Sequence, residues 1–240
     1  MSNTLVSYLN KRLTRSVAPG RENKPPGPVI TISRQVGCSG LELAYALAER
    51  LNKTTSFEGW RVLSKEILNH SARELNLEPE RVAKIFKQEE RTMVDEIISA
   101  FSEKKYKSDK KIKKTVVEVI RSFAEDGFCI IVGRASNVIA ADLRNSLHIR
   151  LVAPLEERIL CIMNKNSWTR QESIRFIERV EKERYAYRHA AMPERGPDEE
   201  LFDLTFNRSH FTTEMIVDVI MLAIEEKKIL EGYTPRLDFL

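Results

Sequence analysis

Residues 29–51 read VITISRQVGCSGLELAYALAERL, and no other stretch limits the fold of this chain as tightly. Val29 to Ile32 is an apolar, mostly β-branched run, the composition of a buried strand. Gly37, Ser39 and Gly40 then turn the chain, and Ala44, Leu47, Ala48 and Leu51 follow at helical spacing. A strand that passes through a short glycine turn into a helix aims the helix's first backbone N–H groups at whatever lies beyond the strand end, which is an anion-binding geometry. Phosphate loops of this layout read G-x-x-x-x-G-K-[ST]. Here Arg34 and Ser39 stand at the glycine positions, Gly40 at the lysine position and Leu41 at the hydroxyl position. Three readings follow: a working nucleotide site, a remnant of one, or an ordinary strand–turn–helix joint.

The rest of the chain repeats the strand–helix alternation. Apolar runs at 60–63, 128–132, 147–153 and 201–207 read as strands. Ser64 can cap a helix carrying Ile67, Leu68, Ala72 and Leu75, and a long helix is expected from Pro79 to about Phe101. Ile112 to Phe123 marks a helix closed by Gly127, after the lysine-rich break EKKYKSDKKIKK at 103–114. Pro154 opens another helix. Thr169 and Glu172 form a capping box for one reaching about Tyr187, and Met215 to Lys228 reads as the last. Such alternation predicts a mostly parallel sheet covered on both faces, with ligands at the carboxyl ends of its strands. The expected organisation is a flexible basic segment over 1–28, one domain over 29–229 and a tail over 230–240.

Composition narrows the function classes. A net charge of +4 is compatible with anionic small molecules and weak as a sign of nucleic-acid binding. Cys38, Cys129 and Cys161 are scattered and show no metal or disulfide spacing, so a reducing, cytoplasmic setting is expected. No apolar run is long enough to span a bilayer, and the N-terminus lacks a signal-peptide core, so no membrane role is expected. His70, His148, His189 and His210 show no metal-ligand spacing and read as structural or surface groups. GCSGL is not a nucleophile elbow, because Leu41 replaces the final glycine. Cys38 at a helix start is where a thiol pKa can drop, although a small loop residue is the plainer reading.

Four segments in order carry a family resemblance. ITISRQVGCSG is similar to a phosphate loop of the ISRQ-x-GSGG type. IIVGRASNVI resembles a third-strand motif with its Gly-Arg pair, VAPLEERI the approach to a lid, and FDLTFNRSHFTTEMIVDVI a final strand–helix unit. Over about residues 29–225 the chain resembles the cytidylate kinase-like family within the P-loop nucleoside monophosphate kinases. The resemblance implies an α/β, P-loop NTPase-like three-layer sandwich with a five-stranded parallel sheet in the order 2-3-1-4-5. It also implies an acceptor-binding helical region at about 64–126 and a lid at about 158–190. The implied reaction transfers a phosphoryl group from a nucleoside triphosphate, ATP with magnesium, to a nucleoside monophosphate or another small phosphorylated acceptor.

The residues to which these roles fall are Ser33, Arg34, Gln35, Gly37, Cys38, Ser39, Gly40 and Gly133 for phosphate binding. Arg134, Arg158, Arg184 and Arg188 are the cation clamps that phosphoryl transfer needs. Arg184 and Arg188 share a helical face. No protein metal site is expected: Val132 and Ala135 stand where cytidylate kinases carry acidic residues, leaving Asn137 and, more distantly, Asp203. Magnesium would then be held through phosphates and water. Glu42 places a negative charge near the phosphates unless it binds a metal or pairs with an arginine. Two rivals remain. One is a nucleotide-binding or regulatory module that keeps the fold and has lost turnover. The other is an anionic-surface or nucleic-acid binder using the lead-in and 103–114.

Overall fold

The computed structural model describes residues 26–54, 59–64, 109–191 and 198–231. The helices expected from Ile67 to Phe101, most of the lead-in and most of the tail lie outside the described residues. The chain divides into two compact units, Met1–Pro25 with Leu63–Phe123, and Pro26–Val62 with Ala124–Leu240.

Five strands, β1 (Val29–Arg34), β2 (Arg61–Ser64), β3 (Cys129–Val132), β4 (Ser146–Val152) and β5 (Leu204–Asn207), form one parallel sheet in the order β2-β3-β1-β4-β5. β1 is central. It pairs in parallel with β3, Ile30 opposite Ile130, and with β4, Ile30 opposite Leu147. A parallel strand is covered on both faces and must be apolar on both. Accordingly Val29, Ile30, Ile32, Ile130, Ile131, Leu147 and Ile149 are all fully buried.

The helices are α1 (Gly40–Thr54), α2 (Asp109–Asp126), α3 (Ser136–Ile139), α4 (Leu155–Asn166), α5 (Arg170–Ala191) and α6 (Thr213–Glu226), with a 3₁₀ turn at Asp198–Leu201. In the second unit, α1 buries Leu43, Leu47 and Leu51 in a core shared with β1, β3, β4 and α6. In the first unit's part of α2, Val116, Val119, Ile120 and Phe123 are buried. Gly127 follows α2 with φ +75, the left-handed geometry of a helix stop. The capping box forms as expected: Glu172 accepts from Thr169 N at 2.8 Å, and Thr169 Oγ1 accepts from Glu172 N at 3.3 Å. Thr212 caps α6 by accepting from Met215 N, so that helix starts two residues earlier than the apolar pattern suggests.

Two features depart from the sequence reading. β5 is only Leu204–Asn207, because Leu201 belongs to the 3₁₀ turn and Asp203 is held by β4: its carboxylate accepts from His148 N at 2.7 Å, and its own N–H donates to His148 O at 2.8 Å. And α3, a single buried turn, follows β3 where no helix was expected.

Candidate phosphate-binding site

The expected loop lies at the carboxyl end of β1, and each of its residues is held differently. Gln35 ties it to β4: its N–H donates to Leu151 O at 3.0 Å, and its Oε1 accepts from Ala153 N at 3.0 Å. Gly37 has φ +96, and a Cβ there would stand 2.9 Å from Arg158 Cα, so both conformation and space demand glycine. Ser39 is exposed at φ +45. Cys38 turns inward among the core side chains, and burial pushes its thiol up to about 11 although Arg158 and Arg208 pull the other way. That overturns the idea of an activated thiol: only its backbone can serve a ligand. Ser33 is the penultimate residue of β1.

Arg34 runs alongside Gly40, the position of the usual lysine. Its aliphatic stem runs past Gly40, where an added Cβ would meet Cδ at 3.1 Å, and its guanidinium reaches across to Gly133, where an added Cβ would fall on Nη1. The stem therefore occupies the space beside the position where the usual lysine begins, and it delivers positive charge to the ends of β1 and β3. Gly133, Arg134 and Ala135 have φ of +76, +58 and +54. Two consecutive non-glycine residues in this region cost on the order of 1–2 kcal/mol each. The turn sets the Arg134 guanidinium over the ring of Tyr187 on α5, 5.8 Å from its centroid.

α5 supplies the facing surface. Ile177, Glu181, Arg184 and Arg188 recur at helical spacing on one side. Arg184 Nη1 donates to Arg34 O at 3.0 Å. Glu181 Oε1 accepts from Arg158 Nη1 at 2.6 Å and from the loop's own Val36 N–H at 3.2 Å. Arg158, buried to 8% exposure, also donates from Nε to Ala153 O at 3.1 Å. Val36, Ile159, Ile162 and Ile177 form a small apolar cluster under this contact. Arg34, Arg134 and Arg184 are thus brought together at the strand ends. Arg158 instead braces the loop from behind. Arg188 lies one helical turn beyond Arg184 and is half-buried.

The sequence allowed Glu42 an arginine partner without saying which, and gave no sign of the contacts that Glu181 makes. Glu42 is held by Thr213 Oγ1 at 2.7 Å and approached by Arg208 Nη2 at 3.5 Å; Arg208 also donates to Thr213 at 3.1 Å. Its charge is therefore answered by an arginine at the end of β5, a pairing that no local pattern announces across 166 residues. The family's final strand–helix unit, which contains Arg208, was the only available hint. Glu181 looked like one glutamate among several in EKERYAYRH. Asp203 lies before β5, engaged by His148 and by Lys227 Nζ at 2.5 Å, and so contributes nothing at the strands' carboxyl ends.

A protein-held magnesium ion does not fit. Leu41 packs against the core in place of a hydroxyl, Glu42 is engaged, and among the described residues no group of three or more His, Cys, Asp or Glu side chains could hold a metal. Nor is any helix among those residues long and apolar enough to cross a membrane.

A parallel sheet with β1 central, a glycine loop between β1 and α1, and arginines gathered at the strand ends define a phosphate-loop protein of the kinase type. The chain belongs to the cytidylate kinase-like family, whose model matches residues 29–210. Its function is accordingly kinase-like. No curated protein matches it significantly. Among solved structures, an uncharacterized protein from Eubacterium ventriosum is 19% identical with a TM-score of 0.59, the match covering 83% of this chain and 98% of that one, which shows a shared fold. Two shikimate kinases are more distant. That of Bacteroides thetaiotaomicron is 14% identical over 82% and 98% of the two chains, with a TM-score of 0.41. That of Acinetobacter baumannii, solved with shikimate, is 12% identical over 84% and 95%, with a TM-score of 0.42.

Proposed function

We propose that the protein is a phosphotransferase that moves the terminal phosphoryl group of a nucleoside triphosphate, ATP in the first instance, to a nucleoside monophosphate or another small phosphorylated acceptor. The observation that carries this reading is the course of Arg34, whose stem passes Gly40 and whose guanidinium reaches Gly133, beside a loop that lacks its lysine. In phosphoryl transfer the acceptor oxygen bonds to the terminal phosphorus as the bond to the bridging oxygen breaks, and a nucleoside diphosphate leaves. Catalysis is mostly positioning and charge stabilisation. Loop N–H groups from Gly37 to Gly40, with Arg34, would hold the triphosphate. Arg134 would hold the acceptor, and Arg184 with Arg188 would cover the transferring group. Arg158 acts through Glu181 as a positioning residue. Any magnesium would travel on the nucleotide's own oxygens and water, and no step here runs through a protein-held metal. The cell compartment assigned to this reaction is the cytoplasm, from the scattered cysteines.

The test is a coupled assay for nucleoside diphosphate release with a panel of monophosphate acceptors, alongside triphosphate binding by calorimetry. Turnover that falls at least tenfold in Arg134→Ala supports the reading. Leu41 and the engaged Glu42 favour a second reading, a nucleotide-binding module without turnover; triphosphate binding with no acceptor-dependent release would select it.

A further inference from the structure

Buried polar side chains are almost always paired, so each exception asks for a partner. Asn137 is 4% exposed, and its Nδ2 has no hydrogen-bond partner. The Tyr187 hydroxyl is likewise sealed from solvent, and its proton has no protein acceptor, since the Arg134 guanidinium beside it can only donate. The two belong to one neighbourhood. Asn137 sits in α3, three residues beyond Arg134. α3 packs on α5, which carries Tyr187, and the Arg134 guanidinium lies over the Tyr187 ring. Burial raises the Tyr187 pKa while Arg134 opposes the rise, so the hydroxyl keeps its proton and remains a donor at neutral pH.

We infer that Asn137 and Tyr187 are ligand-binding residues: their side-chain N–H and O–H donors, together with the Arg134 guanidinium, form a subsite for the phosphoryl oxygens of the acceptor. Two neutral donors beside a guanidinium suit an oxygen-rich anion and offer little to a cation. This rests on the phosphotransferase reading and extends it to Asn137, three residues after the motif's arginine, and to Tyr187, outside the family motifs.

The test reads two quantities that a merely structural role would move together. Tyr187→Phe and Asn137→Leu each remove a donor. A donor that has no partner in the free protein can be deleted without lowering the melting temperature, yet each variant should bind the acceptor more weakly. Calorimetric titration with four nucleoside monophosphates and with inorganic phosphate should show a loss of roughly 2- to 10-fold in each variant, the worth of one neutral hydrogen bond. Triphosphate affinity should stay as in wild type. If Asn137→Leu fails to fold, Tyr187→Phe carries the test alone. Unchanged monophosphate and phosphate affinity in a folded Tyr187→Phe overturns the subsite, and triphosphate binding that persists leaves the kinase reading standing. A wild-type protein that binds none of these probes and no triphosphate overturns both.

Discussion

The carboxyl ends of β1 and β3 and the interior of the same sheet treat buried polar groups in opposite ways. Inside, Thr31 Oγ1 meets His148 Nδ1 at 2.7 Å, His148 Nε2 meets Ser146 Oγ at 3.1 Å, and Ser146 Oγ donates to Leu143 O at 2.6 Å. Because the serine proton goes to Leu143, His148 donates from Nε2 to Ser146 Oγ, and both ring nitrogens have a partner. At the carboxyl ends, Asn137 and Tyr187 keep donors without partners. Backbone strain does not separate the two regions, since Phe128 at the amino end of β3 also has φ +47. Hydrogen-bond satisfaction does. The Trp60 indole N–H, buried beside Phe128 without a partner, is an exception on the amino side, and nothing in the structure explains it.

Four comparisons test that contrast. Gly37→Ala should have the largest effect: left-handed strain and a Cβ against Arg158 together cost about 3 kcal/mol or more. Gly40→Ala meets only the movable stem of Arg34 and should cost well under about 1 kcal/mol. Urea denaturation of both variants measures the difference, and equal stabilities would mean that the loop is not seated on α4 as described.

Thr31→Val should come next, at about 1–3 kcal/mol, because it strands His148 Nδ1 in the interior. Tyr187→Phe, which also removes a buried hydroxyl, should be neutral. Similar losses in the two would erase the distinction between the regions.

Glu181→Ala should cost about 1–2 kcal/mol, discounted for the partial exposure of the carboxylate. It should also free the Val36 N–H, seen as faster hydrogen exchange at Val36 with the β4 amides unchanged. Glu181→Gln keeps an acceptor for that N–H and should restore most of the protection.

The smallest effect is chemical. Cys38 and Cys129 are held protonated to about 11 and about 12, so alkylation at pH 8 should label Cys161 and spare both. Their folded pKa values lie above the ordinary 9.0, so this contribution to stability is complete below pH 9 and is lost as pH rises through 9 to 11 and beyond. Mass spectrometry of the labelled peptides reads the first outcome, and melting curves across that range read the second.

What was legible in the sequence follows from the same contrast. Strands buried on both faces leave continuous apolar runs, and helices between them leave a period near 3.6, so the parallel sheet could be read directly. The capping box at Thr169 and the stop at Gly127 are local and were equally plain. Bonds between distant residues left no trace. Glu181 on the loop amide, Arg208 on Glu42 and Asp203 on His148 join ordinary charged residues far apart in the chain. α3 is one turn, too short for a period to show. Arg34 and Arg134 stood out because each sits where a motif leads the eye; Asn137 was noticed only as a remnant metal group, and Tyr187 not at all, because an unsatisfied donor is visible only once its surroundings are known.

If Arg34 stands in for the missing lysine, calorimetric titration of a nucleoside triphosphate into wild type and Arg34→Ala will separate the two proteins. A charge-assisted hydrogen bond contributes about 1.5–3 kcal/mol, so binding should weaken roughly 10- to 150-fold in the variant with its melting temperature preserved. Equal affinity in the two proteins, or no binding to wild type at millimolar concentration, would contradict the claim and leave the loop a structural turn.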